Sequence, residues 1–179
     1  MGRKIKSPYI PGLGITNKYI YDFLKKFDQS FIGAFSCFEL DPLRPKLGHY
    51  IINTGSHFIA IIIKQNEILY FDSYGRDCDN KYVKKFLDKS QTQKKINTSQ
   101  IQSPISYFCG FFCILMCLYS DRAPSWPLLF SPDLEKNDFI CINYINKCLD
   151  EASWSTISTL FYHWLKFYHW LKCVSHSHV

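Results

Sequence analysis

Long apolar runs are missing from this chain of 179 residues: the longest, Phe108 to Tyr119, holds 12. A membrane-spanning helix needs about 20, so the run reads as a core helix and no membrane contact is expected. Charge is sparse too, at 20% of residues against an apolar share of 47%. That composition excludes a wholly disordered chain and leaves Ser, Thr, Asn and Tyr to complete the surface. Zinc-type spacing is lacking: the eight Cys (37, 78, 109, 113, 117, 141, 148 and 173) form no C-x-x-C pair, and the six His form no H-x-x-x-H pair. The opening residues MGRKIKSPYIPGLG are basic and broken by two prolines, with no apolar run behind them. No secretory leader is therefore expected, and Lys6 stands where a myristoylation signal carries Ser or Thr. Cys109, Cys113 and Cys117 recur every four residues within the apolar run. They read as thiols on one helical face in a reducing compartment, not as a disulfide framework.

What is present is aromatic: 15 Phe and 12 Tyr bring the aromatic share with Trp to 17%. The length suits one domain spanning 1–179. The net charge of +6 is compatible with contact to nucleic acid and equally with a solvated surface. The lysine pairs Lys25-Lys26, Lys84-Lys85 and Lys94-Lys95 carry the same two readings.

Along the chain, residues 1–15 read as an extended arm. Thr16 or Asn17 caps a helix through Tyr19, Ile20, Phe23, Leu24 and Phe27. Residues 31–38 are a short apolar segment, followed by an Asp41-Pro42, Arg44-Pro45 loop. His49 to Asn53 reads as a strand, and His57 to Lys64 as a buried β-branched strand. A tight connection at Gln65-Asn66 joins the latter to a partner strand, Glu67 to Asp72. Asn80 to Lys89 is an amphipathic helix with Tyr82, Val83, Phe86 and Leu87 on one face. Ser90 to Ser99 is a surface loop or short edge, Gln100 to Ile105 is extended, and Ser106 is a candidate cap for a helix to Tyr119. A further helix is expected over Asp138 to Glu151. The tail at 152–179 repeats FYHWLK at 161–166 and 167–172, is expected to be peripheral and is assigned no chemistry.

Three segments carry candidate chemistry. His57 opens a buried strand just after a glycine turn, where an imidazole sits at the mouth of a sheet. Asp72 closes the next strand of the same hairpin, at the same end, and neighbouring strands lie about 4.8 Å apart. A carboxylate there can hold the imidazole's Nδ1–H and fix its tautomer. Cys109 sits near the start of the apolar helix, where unpaired N–H groups and a partial positive charge favour a thiolate. Gly110 next to it permits close approach of backbone and substrate. Gln102, seven residues upstream, can swing its amide back beside the thiol and pair with the Cys109 N–H as a two-donor oxyanion hole. Each residue alone has a plain structural reading: a strand-start His, a turn-forming Asp, a core Cys.

Gln102 to Cys113 resembles the active-site motif of the adenovirus protease (adenain) family of cysteine endopeptidases: Gln, a small residue, Pro, then Cys-Gly seven residues after the Gln. Ile51-Ile52-Asn53-Thr54 resembles the family's approach to its catalytic His, and Tyr70-Phe71-Asp72-Ser73-Tyr74-Gly75 its aromatic-acid-x-aromatic-Gly segment. The resemblance covers residues 48–120. It implies an α+β, papain-like fold: a central mixed sheet flanked by helices, with the nucleophile at a helix N-terminus. It implies Cys109, His57 and Asp72 as catalytic residues with Gln102 in the oxyanion hole, and no cofactor for the chemistry. It further implies viral precursor polypeptides as substrates, activation by DNA or a viral peptide, a monomer, and a place in the virion and the host nucleus or cytoplasm. This chain departs from the family pattern in three places. Asp72 replaces the Glu of many adenovirus enzymes, as in the related SUMO-deconjugating proteases. Phe58 stands where a Trp commonly follows the His. Ser90 to Gln100 lacks the Cys that tethers the activating peptide. A SUMO- or ubiquitin-like deconjugating protease and an inert virion or binding protein of the same fold are the alternatives.

Overall fold

The computed structural model describes residues 15–90, 92–120 and 130–150. The expected N-terminal arm and the duplicated tail lie almost wholly outside them. Helix α1 spans Asn17–Phe27, capped by Thr16, whose hydroxyl accepts the Tyr19 N–H. Strand β1 (Phe31–Ser36) and a short 3-10 turn (Cys37–Leu40) lead to β2 (Gly48–Asn53), β3 (Phe58–Ile63) and β4 (Glu67–Phe71). Helix α2 (Lys81–Asp88), strand β5 (Gln93–Ile96), helix α3 (Cys109–Tyr119) and helix α4 (Leu134–Asp150) complete the order. The apolar 31–38 segment thus holds an edge strand, and β5 is the short edge expected in the polar 90–99 stretch.

The five strands lie in chain order, β1 to β5. β2, β3 and β4 are antiparallel, whereas β1 and β5 join their neighbours in parallel. Short turns permit the antiparallel pairs. The parallel edges need longer crossovers, which the 37–47 segment and α2 supply. Every position of β3 is buried, because helices cover both faces of the sheet. Phe58, Ala60 and Ile62, with Ile51 and Phe71, pack on the side of α1, α3 and α4. Ile59, Ile61 and Ile63, with Tyr50, Ile52, Ile68 and Tyr70, meet α2 and the 3-10 turn on the other. A strand enclosed on two sides has no polar alternation, which is why 57–64 reads as one β-branched run. The architecture is the expected α+β arrangement of a mixed sheet flanked by helices.

Helix α3 is the central helix, packed between the sheet and helices α1 and α4. It begins at Cys109, three residues later than the sequence reading placed it. Pro104 starts a turn closed by Ser106 N–H donating to Ser103 O at 3.1 Å, so Ser106 belongs to that turn. Phe108 is the N-cap residue and makes no side-chain cap. No helix among the described residues is long and apolar enough to cross a membrane.

Candidate active site

The β3–β4 register pairs Ala60 with Phe71. Continued beyond the strand ends, it sets His57 opposite Tyr74 and close to Asp72. The structure bears this out. The His57 imidazole lies 2.7 Å from Asp72 Oδ1 and stacks on the Tyr74 ring, centroids 5.1 Å apart. The nitrogen facing the carboxylate is Nε2, not the Nδ1 expected from sequence. Sequence spacing fixes which residues meet, but the χ angles that turn the ring are set by packing. The ring's two nitrogens point in divergent directions, so Nδ1 remains for any partner away from Asp72. Tyr74 is thus an aromatic neighbour of the imidazole, whereas Phe58 is buried in the core, and Arg76 lies 4.6 Å over the Tyr74 ring.

Cys109 comes close enough to hydrogen-bond the imidazole and to act on its charge. Burial alone would push the His57 pKa down. Hydrogen bonds to Asp72 and Cys109, with the electrostatic pull of both groups, outweigh it and raise the value to about 9. As the first residue of α3, Cys109 has a backbone N–H that precedes the first i→i−4 bond, made by Phe112 N to Phe108 O at 3.0 Å. Cys113 and Cys117, one and two turns deeper, are fully buried, and burial holds their thiols well above the usual range. Cys109 alone among the described thiols is partly exposed. Gly110 faces inward: a Cβ there would come within 2.8 Å of the Ile15 side chain. Its small size therefore serves packing against the N-terminal segment.

Gln102 is wholly buried, and its amide is fully engaged. Oε1 accepts from the Ser73 hydroxyl, while Nε2 donates to Ser106 O at 2.8 Å and to the Tyr74 hydroxyl at 3.2 Å. The two carbonyl and hydroxyl acceptors fix the amide's orientation. The structure thus does not leave Gln102 as the free donor expected from sequence. Its N–H groups serve an oxyanion only if one of these bonds is exchanged. On the main chain, Ile101 N–H and Gln102 N–H both donate to Ser73 O. From α4, Asn137 donates to Ile101 O at 3.0 Å and Asp138 accepts the Ser103 N–H at 3.3 Å, bracketing Gln102 on both sides. Burial raises the Asp138 carboxyl to about 7, against its hydrogen bonds. No local sequence signal marks Asn137 or Asp138, because their role exists only through contacts 35 and 36 residues away in sequence.

A second Asp-His-Cys grouping brings together the C-cap of α1, β2 and α3: the ligand atoms of Asp28, His49 and Cys117 fall within 4.8 Å of one another. His49 Nδ1 stands 2.7 Å from Asp28 Oδ2, and Nε2 stands 2.8 Å from the Ser120 hydroxyl. Two ligands on a tetrahedral ion at about 2.0–2.1 Å would sit about 3.3 Å apart. The 2.7 Å contact is therefore a hydrogen bond tying the α1–β1 turn to β2. With His49 and Cys117 both buried, no substrate reaches this grouping, whereas His57 and Cys109 keep partial access to solvent.

Part of the basic surface is neutralised locally. Lys85 pairs with Asp41, Lys94 with Asp88 and Lys95 with Glu67, so half of the lysines considered for phosphate contact have carboxylate partners.

No family profile and no curated protein matches the chain. Among solved structures, it is similar to one described as the SUMO protease Ulp1 with the catalytic cysteine oxidized to a sulfinic acid. That likeness has 16% identity and a TM-score of 0.45, covering 78% of this chain and 80% of that one.

Proposed function

We propose that the chain is a cysteine endopeptidase in which Cys109 is the nucleophile, His57 the acid–base and Asp72 the residue that orients His57. The observation that carries this reading is the convergence of the one partly exposed described thiol, at a helix N-terminus, with an imidazole anchored by a buried carboxylate. The Cys109 thiolate attacks the scissile carbonyl carbon. The imidazolium passes its proton to the leaving amine, and the thioester is then hydrolysed by water that His57 deprotonates. With Nε2 held by Asp72, Nδ1 is the nitrogen that exchanges the proton. The developing oxyanion meets the N–H at the start of α3, joined by Gln102 once its amide turns from Ser106 or Tyr74.

The resemblance of the 51–54, 70–75 and 102–113 segments to adenovirus proteases supports viral structural precursors as the substrates and the virion or infected cell as the setting. The presence of Asp72 in place of Glu favours a second reading, a SUMO- or ubiquitin-like deconjugating protease. Incubation with glycine-containing precursor peptides and, separately, with tagged SUMO and ubiquitin decides between them, since only one class should be cut. The activity itself is tested by trapping with a peptide vinyl sulfone and mapping the adduct. Modification at Cys109, abolished in His57→Ala, is the expected result. A folded protein that leaves Cys109 unmodified would overturn the reading.

A further inference from the structure

Asn97 follows the last residue of β5 and is buried. Its backbone N–H still donates to Tyr70 O at 3.3 Å, a last rung of the β4–β5 pairing. Beyond it the chain leaves the sheet, and the main chain offers Asp72 no further rung from this side. The Asn97 side chain takes over. Its Oδ1 accepts the Asp72 N–H and its Nδ2 donates to Asp72 O, both at 2.7 Å, with the second Nδ2 hydrogen going to Ser99 O at 3.2 Å. An amide of this length presents one acceptor and one donor side by side, as a neighbouring strand would. Aspartate lacks the donor, and serine lacks the span.

We infer that Asn97 is a positioning residue for Asp72: its amide substitutes for a missing strand and holds the carboxylate on the His57 ring. The inference rests on the reading of Cys109, His57 and Asp72 as the catalytic set. Asp72 Oδ1 receives both His57 Nε2 and the Tyr74 N–H at 2.8 Å. With that oxygen tied to its own turn, the direction of the carboxylate follows the backbone that Asn97 clamps. Releasing the clamp lets the Asp72 peptide units rotate toward other partners, which lengthens the contact to the imidazole and weakens its protonated form.

The test uses the full chain and two readouts that need no substrate. One is the titration of His57, followed by NMR of histidine-labelled protein and assigned by His57→Gln. The other is the pH-dependent alkylation rate of Cys109 by iodoacetamide, mapped by mass spectrometry. Asn97→Ala should lower the His57 titration by about one unit, a tenfold change in equilibrium. It should also slow alkylation at neutral pH by on the order of tenfold, as loss of an orienting partner does elsewhere. In an Asp72→Ala background the same substitution should add nothing, because Asn97 acts through Asp72. Unchanged titration, or equal losses in both backgrounds, would overturn the inference and leave Asn97 a purely structural residue. Should Asn97→Ala fail to fold, Asn97→Ser is judged by the same criteria; if neither folds, the positioning role is likewise rejected. An unreactive Cys109 in the unaltered protein would instead sink the catalytic reading, whatever Asn97 does.

Discussion

His57 is surrounded by groups that favour its charged form. Asp72 and Cys109 raise its pKa to about 9 in spite of burial, so the ring carries a proton at neutral pH. Asp72→Asn should bring the titration down toward the ordinary 6.5, measured by NMR, and should lower Cys109 alkylation at neutral pH in step. The thiols separate by depth. Cys109→Ala should abolish cleavage without altering the circular dichroism spectrum. Cys113→Ala, one turn inward, should leave turnover near normal and lower stability by roughly 1 kcal/mol, seen in urea unfolding. Equal loss of turnover from both would place the nucleophile elsewhere.

At the level of elements, the segment 97–102 runs across the turn that follows β4. Gly75 makes this possible. It has φ +66°, and a Cβ there would stand 2.6 Å from the Ser99 carbonyl carbon, a backbone atom that cannot swing aside. Gly75→Ala should therefore destabilise by about 1–3 kcal/mol through overpacking and backbone strain, measured as a lower urea midpoint with unchanged slope. Because the same segment carries Asn97 and Gln102, the variant should also slow Cys109 alkylation. The turn at 72–75 was readable from Asp72, Ser73 and Gly75 as turn formers. The segment that closes over it was not, because its contacts are long-range and its sequence, mostly polar, resembles any surface loop.

For the whole molecule, two apolar layers share one sheet. Phe86 packs against Tyr50 at 5.4 Å between ring centroids on the α2 side, and Phe86→Ala should cost about 3–5 kcal/mol, read from denaturant unfolding. Stability should also depend on pH with a definite sign. Asp138 is raised from 3.8 to about 7, so the folded state binds more protons than the unfolded across that window, and stability falls as pH rises through it. His57 is raised from 6.5 to about 9; its contribution is complete below 6.5 and is lost as pH climbs through 9. Asp138→Asn should flatten the first decline and His57→Gln the second, each followed by chemical denaturation across pH.

Local sequence alone determined the strands at 48–53, 58–63 and 67–71 and the helices around Phe23, Phe86 and Cys113. Periodicity, β-branching and turn residues act over a few positions and leave their mark there. Tertiary structure decided which of two Asp-His-Cys groupings meets solvent, which imidazole nitrogen faces the carboxylate, and that the Gln102 amide is already occupied. It also decided that Asn97 stands in for a strand beside Asp72. These are matters of side-chain direction and burial, most of them between segments 15 to 89 residues apart, and only the closed three-layer packing sets them.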